Sequence, residues 1–238
     1  EFLLVKRDFE SHGIATIIAT PEDLALDDAR LRAFGQPIDL VYKRLLVADF
    51  LEHYDLQHPL VRAYAAGSVC VASSFRCTIA HKKRALAALW NPQHANWFTQ
   101  TELAAIHALV PPTTTDLDVV DLSRTVFKPN DSHGGEGILL GWELNRSEWR
   151  EQLARRPKDE YVAQERVPVQ LAVYPVFDAA APHAGAQLRP LIEDCNAYVF
   201  RGALGGILTR LSESPVINVS KGGQAIPTFI LDGPGAST

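Results

Sequence analysis

Val126-Phe127-Lys128-Pro129-Asn130-Asp131-Ser132-His133-Gly134-Gly135-Glu136-Gly137-Ile138-Leu139-Leu140 decides how this chain is read. An apolar run ends in a lysine, a glycine-rich turn follows, and a second apolar run closes the segment. Three glycines in four positions, Gly134, Gly135 and Gly137, let a backbone take positive φ and approach a ligand closely. Successive free N–H groups in such a turn form an anion-binding nest, and a lysine beside it adds a mobile positive charge. In a P-loop the lysine follows the glycines and opens a helix. Here it precedes them, and a β-rich run follows, so the loop is expected to join two antiparallel strands. Gly-Gly between strands is also an ordinary hairpin signal. From the segment alone, a plain hairpin is at least as good a reading as a phosphate loop.

The rest of the chain bounds the choice. Its 238 residues suffice for one large domain or two small ones, with an ordinary apolar fraction of 47%. A net charge of −5 and the lack of any basic run argue against a nucleic-acid binder. No stretch nears the ~18 uninterrupted apolar residues of a membrane span, and there is no signal-peptide pattern. Cys70, Cys77 and Cys195 are an odd set without CxxC spacing, so neither disulfides nor a zinc site is expected, and a reducing cytoplasm fits. Cys70, inside an apolar run, reads as core. The chain has no methionine and begins within an amphipathic helical pattern, which leads to the expectation that it is incomplete.

Residues 2–12 read as a helix stopped by Gly13. Residues 14–19 read as a short buried strand, 30–34 and 38–42 as further strands, 59–66 as a helix with proline at its first turn, and 68–72 as another strand. That alternation predicts a parallel α/β layer over residues 1–80. Residues 82–90 form a short helix, and Thr99 with Glu102 has capping-box spacing. Residues 111–115, Pro-Pro-Thr-Thr-Thr, read as a linker. Beyond them strands are expected at 125–128, 138–144, 161–167, 187–192, 197–201, 206–212 and 216–220, with one helix at 147–155.

Three segments join the loop in carrying chemistry. In His81-Lys82-Lys83-Arg84, lysines stand at a helix N-terminus that is already positive, a conflict that an anion would relieve and that a solvated basic cluster would also explain. Tyr161-Val162-Ala163-Gln164-Glu165-Arg166-Val167-Pro168 carries a Gln-Glu pair on a strand, suited to a base and ribose or simply to an alternating edge strand. Arg210 and Asn218 sit in apolar strands. Arg210 suits a phosphate or a salt bridge to Asp194 or Glu193, and Asn218 suits a magnesium ion or a local turn.

These segments, in this order, resemble the ATP-grasp ligases, specifically the circularly permuted branch typified by glutathionylspermidine synthase. The likeness is firmest from His81 to Phe229, and Ile38-Asp39-Leu40-Val41-Tyr42-Lys43-Arg44 resembles the region that precedes the ATP-grasp part. The resemblance implies an α+β ATP-grasp fold over residues 81–238, preceded by an α/β region over 1–80. It implies that Lys83 and Lys128 bind ATP phosphates from two sides. Ser132, His133, Gly134, Gly135 and Gly137 would belong to the loop over the triphosphate. Gln164, Glu165 and Val167 would contact adenine and ribose, Arg210 and Lys128 would act in phosphoryl transfer, and Asn218 would lie near the phosphates. Mg²⁺ is implied, with Asp194 and Asn218 as the candidate ligands.

The implied activity is ATP-dependent joining of a small-molecule or peptide carboxylate to an amine through an acyl-phosphate. The alternatives are a catalytically inactive ATP-binding protein or fragment of the same fold, and an unrelated α/β small-molecule binder. The family's metal-binding Glu-x-Asn matches only Glu143-Leu144-Asn145, which reads as a chance match in a turn. His133 stands where the polyamine-conjugating enzymes carry arginine. Tyr42, Lys43, Arg44 and Arg76 are candidate substrate contacts.

Overall fold

The computed structural model describes residues 1–118, 120–155, 160–169, 171–177, 180, 183, 185–217 and 222–230. The chain divides into two compact units, Glu1–His81 and Lys82–Thr238, and both mix helix with strand.

The first unit opens with α1 (Phe2–Ser11), which Gly13 ends at φ +79°. There follow β1 (Leu24–Asp27), β2 (Arg30–Ala33), β3 (Gln36–Pro37), β4 (Leu40–Tyr42), α2 (Val47–His53), α3 (Pro59–Ala65), β5 (Cys70–Ala72) and α4 (Cys77–His81). Leu31, Leu60, Ala63, Val69 and Val71 form its core, with α3 packed on β1 and β2.

The expected parallel layer is realised only in part. β4 and β5 are parallel, but β1, β2 and β3 make an antiparallel meander. Its two turns are the two-residue pairs Asp28-Ala29 and Phe34-Gly35, all at positive φ. That is the geometry matching the strand twist in tight hairpins, but Asp-Ala and Phe-Gly are weak sequence signals for it. Residues 14–19 are not a buried strand. They pair with no strand and are largely exposed, while the strands packed on α3 are β1 and β2. Cys70 is exposed rather than core, since its neighbours Val69 and Val71 take the inward face and alternation turns Cys70 out.

The second unit begins with α5 (Arg84–Trp90) and α6 (Gln100–Leu109), the latter capped reciprocally by Thr99 and Glu102. Then come β6 (Thr113–Thr114), β7 (Thr125–Pro129), β8 (Leu139–Leu140), α7 (Arg146–Ala154) and β9 (Tyr161–Glu165). These strands form one antiparallel sheet in the order β6-β9-β7-β8. Thr125, Phe127, Tyr161, Ala163 and Glu165 share one face by register, and Val126, Lys128, Val162 and Gln164 share the other. On the first face Phe127 stacks on Trp149 of α7 with ring centroids 3.6 Å apart.

A second antiparallel sheet holds β10 (Leu171–Val176), β11 (Gln187–Phe200), β12 (Ala203–Ser212) and β13 (Gln224–Ile226). The two strands expected at 187–192 and 197–201 are one long strand, β11, continuous through Asp194-Cys195-Asn196 because β12 pairs with it from Ile192 to Phe200. The supposed linker at 111–115 contains β6, an edge strand on β9. The strand expected at 138–144 ends at Leu140, and a 3₁₀ turn covers Gly141–Glu143. Val216 and Ile217 are not in a strand, and residues 218–220 lie outside the described residues.

Candidate anion site beneath the glycine loop

The loop that opened the sequence reading is a hairpin connection. β7 and β8 are antiparallel, with Val126 opposite Leu140 and Phe127 opposite Leu139. Gly134, Gly135 and Gly137 all have positive φ, at 67°, 77° and 69°. The loop is held from inside by Ser132 Oγ donating to Glu136 O at 3.0 Å, and from the sheet by Tyr161 Oη donating to Gly137 O at 3.0 Å. At Gly135 an added Cβ would lie 2.5 Å from Val216 Cγ1, so the loop also seats closely against the segment after β12.

The start of α5 docks on this loop. Lys83 N donates to Asn130 O at 3.1 Å and Arg84 N donates to Asn130 Oδ1 at 3.0 Å. Asn130 thereby satisfies N–H groups that a helix start leaves unpaired. Lys82 forms an ion pair with Asp131, and Lys83 Nζ donates to the Ser132 carbonyl. The electrostatic conflict expected at this helix start is therefore met partly by a carboxylate, for Lys82, and partly by a neutral carbonyl, for Lys83.

Lys128 points to the same place from β7. Its Nζ donates to Gln164 Oε1 at 2.5 Å, a diagonal neighbour across the β7–β9 pair. Gln164 is buried, and its Nε2 donates to Thr113 Oγ1 at 2.9 Å. Burial lowers the Lys128 ammonium from its ordinary value, and the nearby charge of Lys83 lowers it further. Burial likewise lowers Lys83, with Asp131 opposing the shift and Lys82 adding to it. Lys128 makes no ion pair with a carboxylate among the described residues. Two ammonium groups are thus held near each other by neutral oxygens, an arrangement that an anion would stabilise.

Beside this pair lies a cleft of about 750 Å³, bordered by α5, β6 and the end of β9, with Trp90, Thr113, Arg124 and Gln164 among its walls. The size is that of an ordinary small-molecule site. Glu165 lies at its rim and pairs with Arg124, while Glu165 N donates to Pro112 O at 2.8 Å. Strand alternation puts Gln164 and Glu165 on opposite faces of β9, so the two do not act as one polar pair. Val167, beyond the strand, is exposed.

Arg210 stands apart in bonding. It faces Asp194 across the β11–β12 pair and binds it through two nitrogens, with Nε to Oδ1 at 3.0 Å. Hydrogen bonding to Asp194 raises the guanidinium further above its already high ordinary value. Asn196 Nδ2 donates to the same carboxylate at 2.9 Å. Asp194 is therefore engaged as an acceptor, Asn218 lies outside the described residues, and no three metal-ligating side chains converge among the described residues. The expected magnesium ligand set is not assembled there. Glu143 and Asn145 belong to a 3₁₀ turn and a helix cap, with Asn145 Oδ1 accepting from Ser147 N at 3.0 Å, as the chance-match reading expects. In the first unit Lys43 Nζ donates to Leu45 O at 2.7 Å and lies 5.9 Å from the Phe75 ring, and Arg44 pairs with Glu1.

Sequence reading missed Thr113, Asn130 and Arg124. Thr113 was hidden in a Pro- and Thr-rich run that looks like a linker. Asn130 directly follows the Lys-Pro of the loop strand, and its capping role was legible only once α5 was seen to dock there. No protein-family model matches the chain, and no curated protein sequence matches it.

Proposed function

We propose that the second unit binds a nucleoside triphosphate, with its phosphates at Lys83, Lys128 and the glycine loop, and that the protein is an ATP-dependent carboxylate–amine ligase of the circularly permuted ATP-grasp kind. The observation that carries the binding step is the pair of lysines held by neutral oxygens, with Lys128 half-buried and without a carboxylate. A phosphate would supply the missing negative charge, and loop N–H groups at positive φ would add donors. The cleft beside Gln164 has room for a base and ribose.

The resemblance supports the chemistry. In such a ligase the carboxylate attacks the γ-phosphate, ADP leaves, and the amine displaces phosphate from the acyl-phosphate. The chain's own contribution would be positioning and charge neutralisation, with Lys128 and Lys83 holding phosphate oxygens as negative charge shifts toward the leaving group. Among the described residues no three metal-ligating side chains converge. Binding without ligation is the second reading, favoured by one observation: Arg210, the residue implied in stabilising the transferred group, is already neutralised by Asp194.

The deciding experiment is an ATP titration of the chain and of Lys128→Ala, followed by a search for ADP release that depends on an added acid and amine. ATP binding that drops at least a hundredfold in Lys128→Ala is the expected result. Unchanged ATP affinity in that variant ends the proposal, and binding without acid- and amine-dependent ADP release selects the second reading.

A further inference from the structure

We propose that Thr113 is a positioning residue for the lysine site. Its hydroxyl anchors the NH₂ of the Gln164 amide and so holds the amide oxygen against Lys128. The proposal rests on the reading of that site as an anion site, but its central test does not.

Thr113 Oγ1 donates to Pro111 O at 2.8 Å. A carbonyl can only accept, and a hydroxyl has one proton, so the Thr113 oxygen is left with lone pairs to offer. Gln164 reaches that oxygen at 2.9 Å and must present its NH₂ to it. The amide oxygen is then turned the other way, toward Lys128 Nζ at 2.5 Å. Pro111 O, Thr113, Gln164 and Lys128 form a chain whose direction is set at both ends, by a carbonyl that only accepts and an ammonium that only donates. With the opposite amide orientation, NH₂ would face an ammonium, donor against donor.

Both middle members are buried, Thr113 at 5% and Gln164 at 6% exposure, so water cannot readily replace a lost partner. β6 thus contributes to the lysine site through a residue that hydrogen-bonds to neither lysine. Its pairing with β9, Thr113 opposite Gln164, brings the hydroxyl to the amide.

The test uses the full chain with three substitutions and two readouts. One readout is ATP affinity by calorimetry. The other is the pH dependence of amine labelling at Lys128, followed by peptide mass spectrometry. Thr113→Val keeps the shape and removes the acceptor. It is expected to weaken ATP binding about tenfold, the upper end of what one neutral hydrogen bond contributes. It should also move the Lys128 titration to lower pH, because the Gln164 amide is no longer held with its oxygen against the protonated amine. Thr113→Ser should restore both. Gln164→Glu places a carboxylate beside Lys128 and should move its titration to higher pH while weakening ATP binding.

A Lys128 titration that is unmoved by Thr113→Val overturns the proposal. Should that variant not fold, a titration unmoved by Gln164→Glu overturns it equally. If wild-type protein binds no ATP while the Lys128 titration responds as described, the nucleotide reading falls and the positioning role stands.

Discussion

Lys128 and Arg210 are both cations on strands of the second unit, and the protein treats them in opposite ways. Arg210 meets an aspartate across its strand pair, with 21% and 28% of the two side chains exposed. Among the described residues Lys128 meets an amide oxygen and no carboxylate, and a second ammonium lies nearby. A cation neutralised by its own neighbour is a fastening between strands. A cation left with a neutral acceptor is costly to the fold and is therefore a stronger candidate for function. The sequence showed both as charges in apolar runs and could not separate them.

The largest effect should come from removing Asp194. Asp194→Ala leaves Arg210 partly buried without its carboxylate. It is expected to cost about 2 kcal/mol, between the small worth of exposed pairs and the larger cost of breaking buried ones. Urea denaturation measures it, and a loss below half that figure would mean that the two cations differ less than their bonding suggests. Next is Gly135→Ala, which forces an L side chain to φ +77° against Val216. A cost of about 1–2 kcal/mol is expected from the left-handed conformation, together with weaker ATP binding because the loop must shift.

The smallest effect runs in the stabilising direction. Lys128→Met should gain about 0.5 kcal/mol at pH 7, the relief of a desolvated charge less the cost of leaving the buried Gln164 oxygen without its donor. Lys128 has its folded-state value depressed below the ordinary 10.5. Between the two values the unfolded chain binds more protons, so wild-type stability rises with pH there. Below that window the full penalty remains. The advantage of Lys128→Met should therefore be greatest at neutral pH and shrink as pH approaches 10.5. Thermal unfolding of the two proteins across that range checks it, and a constant difference would show that packing, not charge, is responsible.

Legibility followed the range of the interaction. The helix over 2–12, the capping box at Thr99 and Glu102, the proline-led helix at 59 and the hairpin at Lys128–Gly137 are all local patterns, and all are present. The readings that failed turned on partners far along the chain. Residues 14–19 have strand composition but no strand to join. Residues 111–115 have linker composition but find the edge of β9 some fifty residues later. The break expected within 187–201 is absent because β12 pairs across the residues between the two expected strands, Glu193 to Asn196. In the lysine site, Lys83, Lys128, the glycines and Gln164 were all named from sequence. Thr113 was not, since a threonine among prolines carries no mark of the amide it will meet.

The sequence by itself determined where the charges and glycines stand and that a hairpin joins the two apolar runs, because turn conformations and alternation are set by neighbouring residues. Only the tertiary structure decided which cation is neutralised. Lys128 lies diagonally across from Gln164 and Arg210 lies directly opposite Asp194 by the registers of two separate sheets, and register depends on strands brought together from distant parts of the chain.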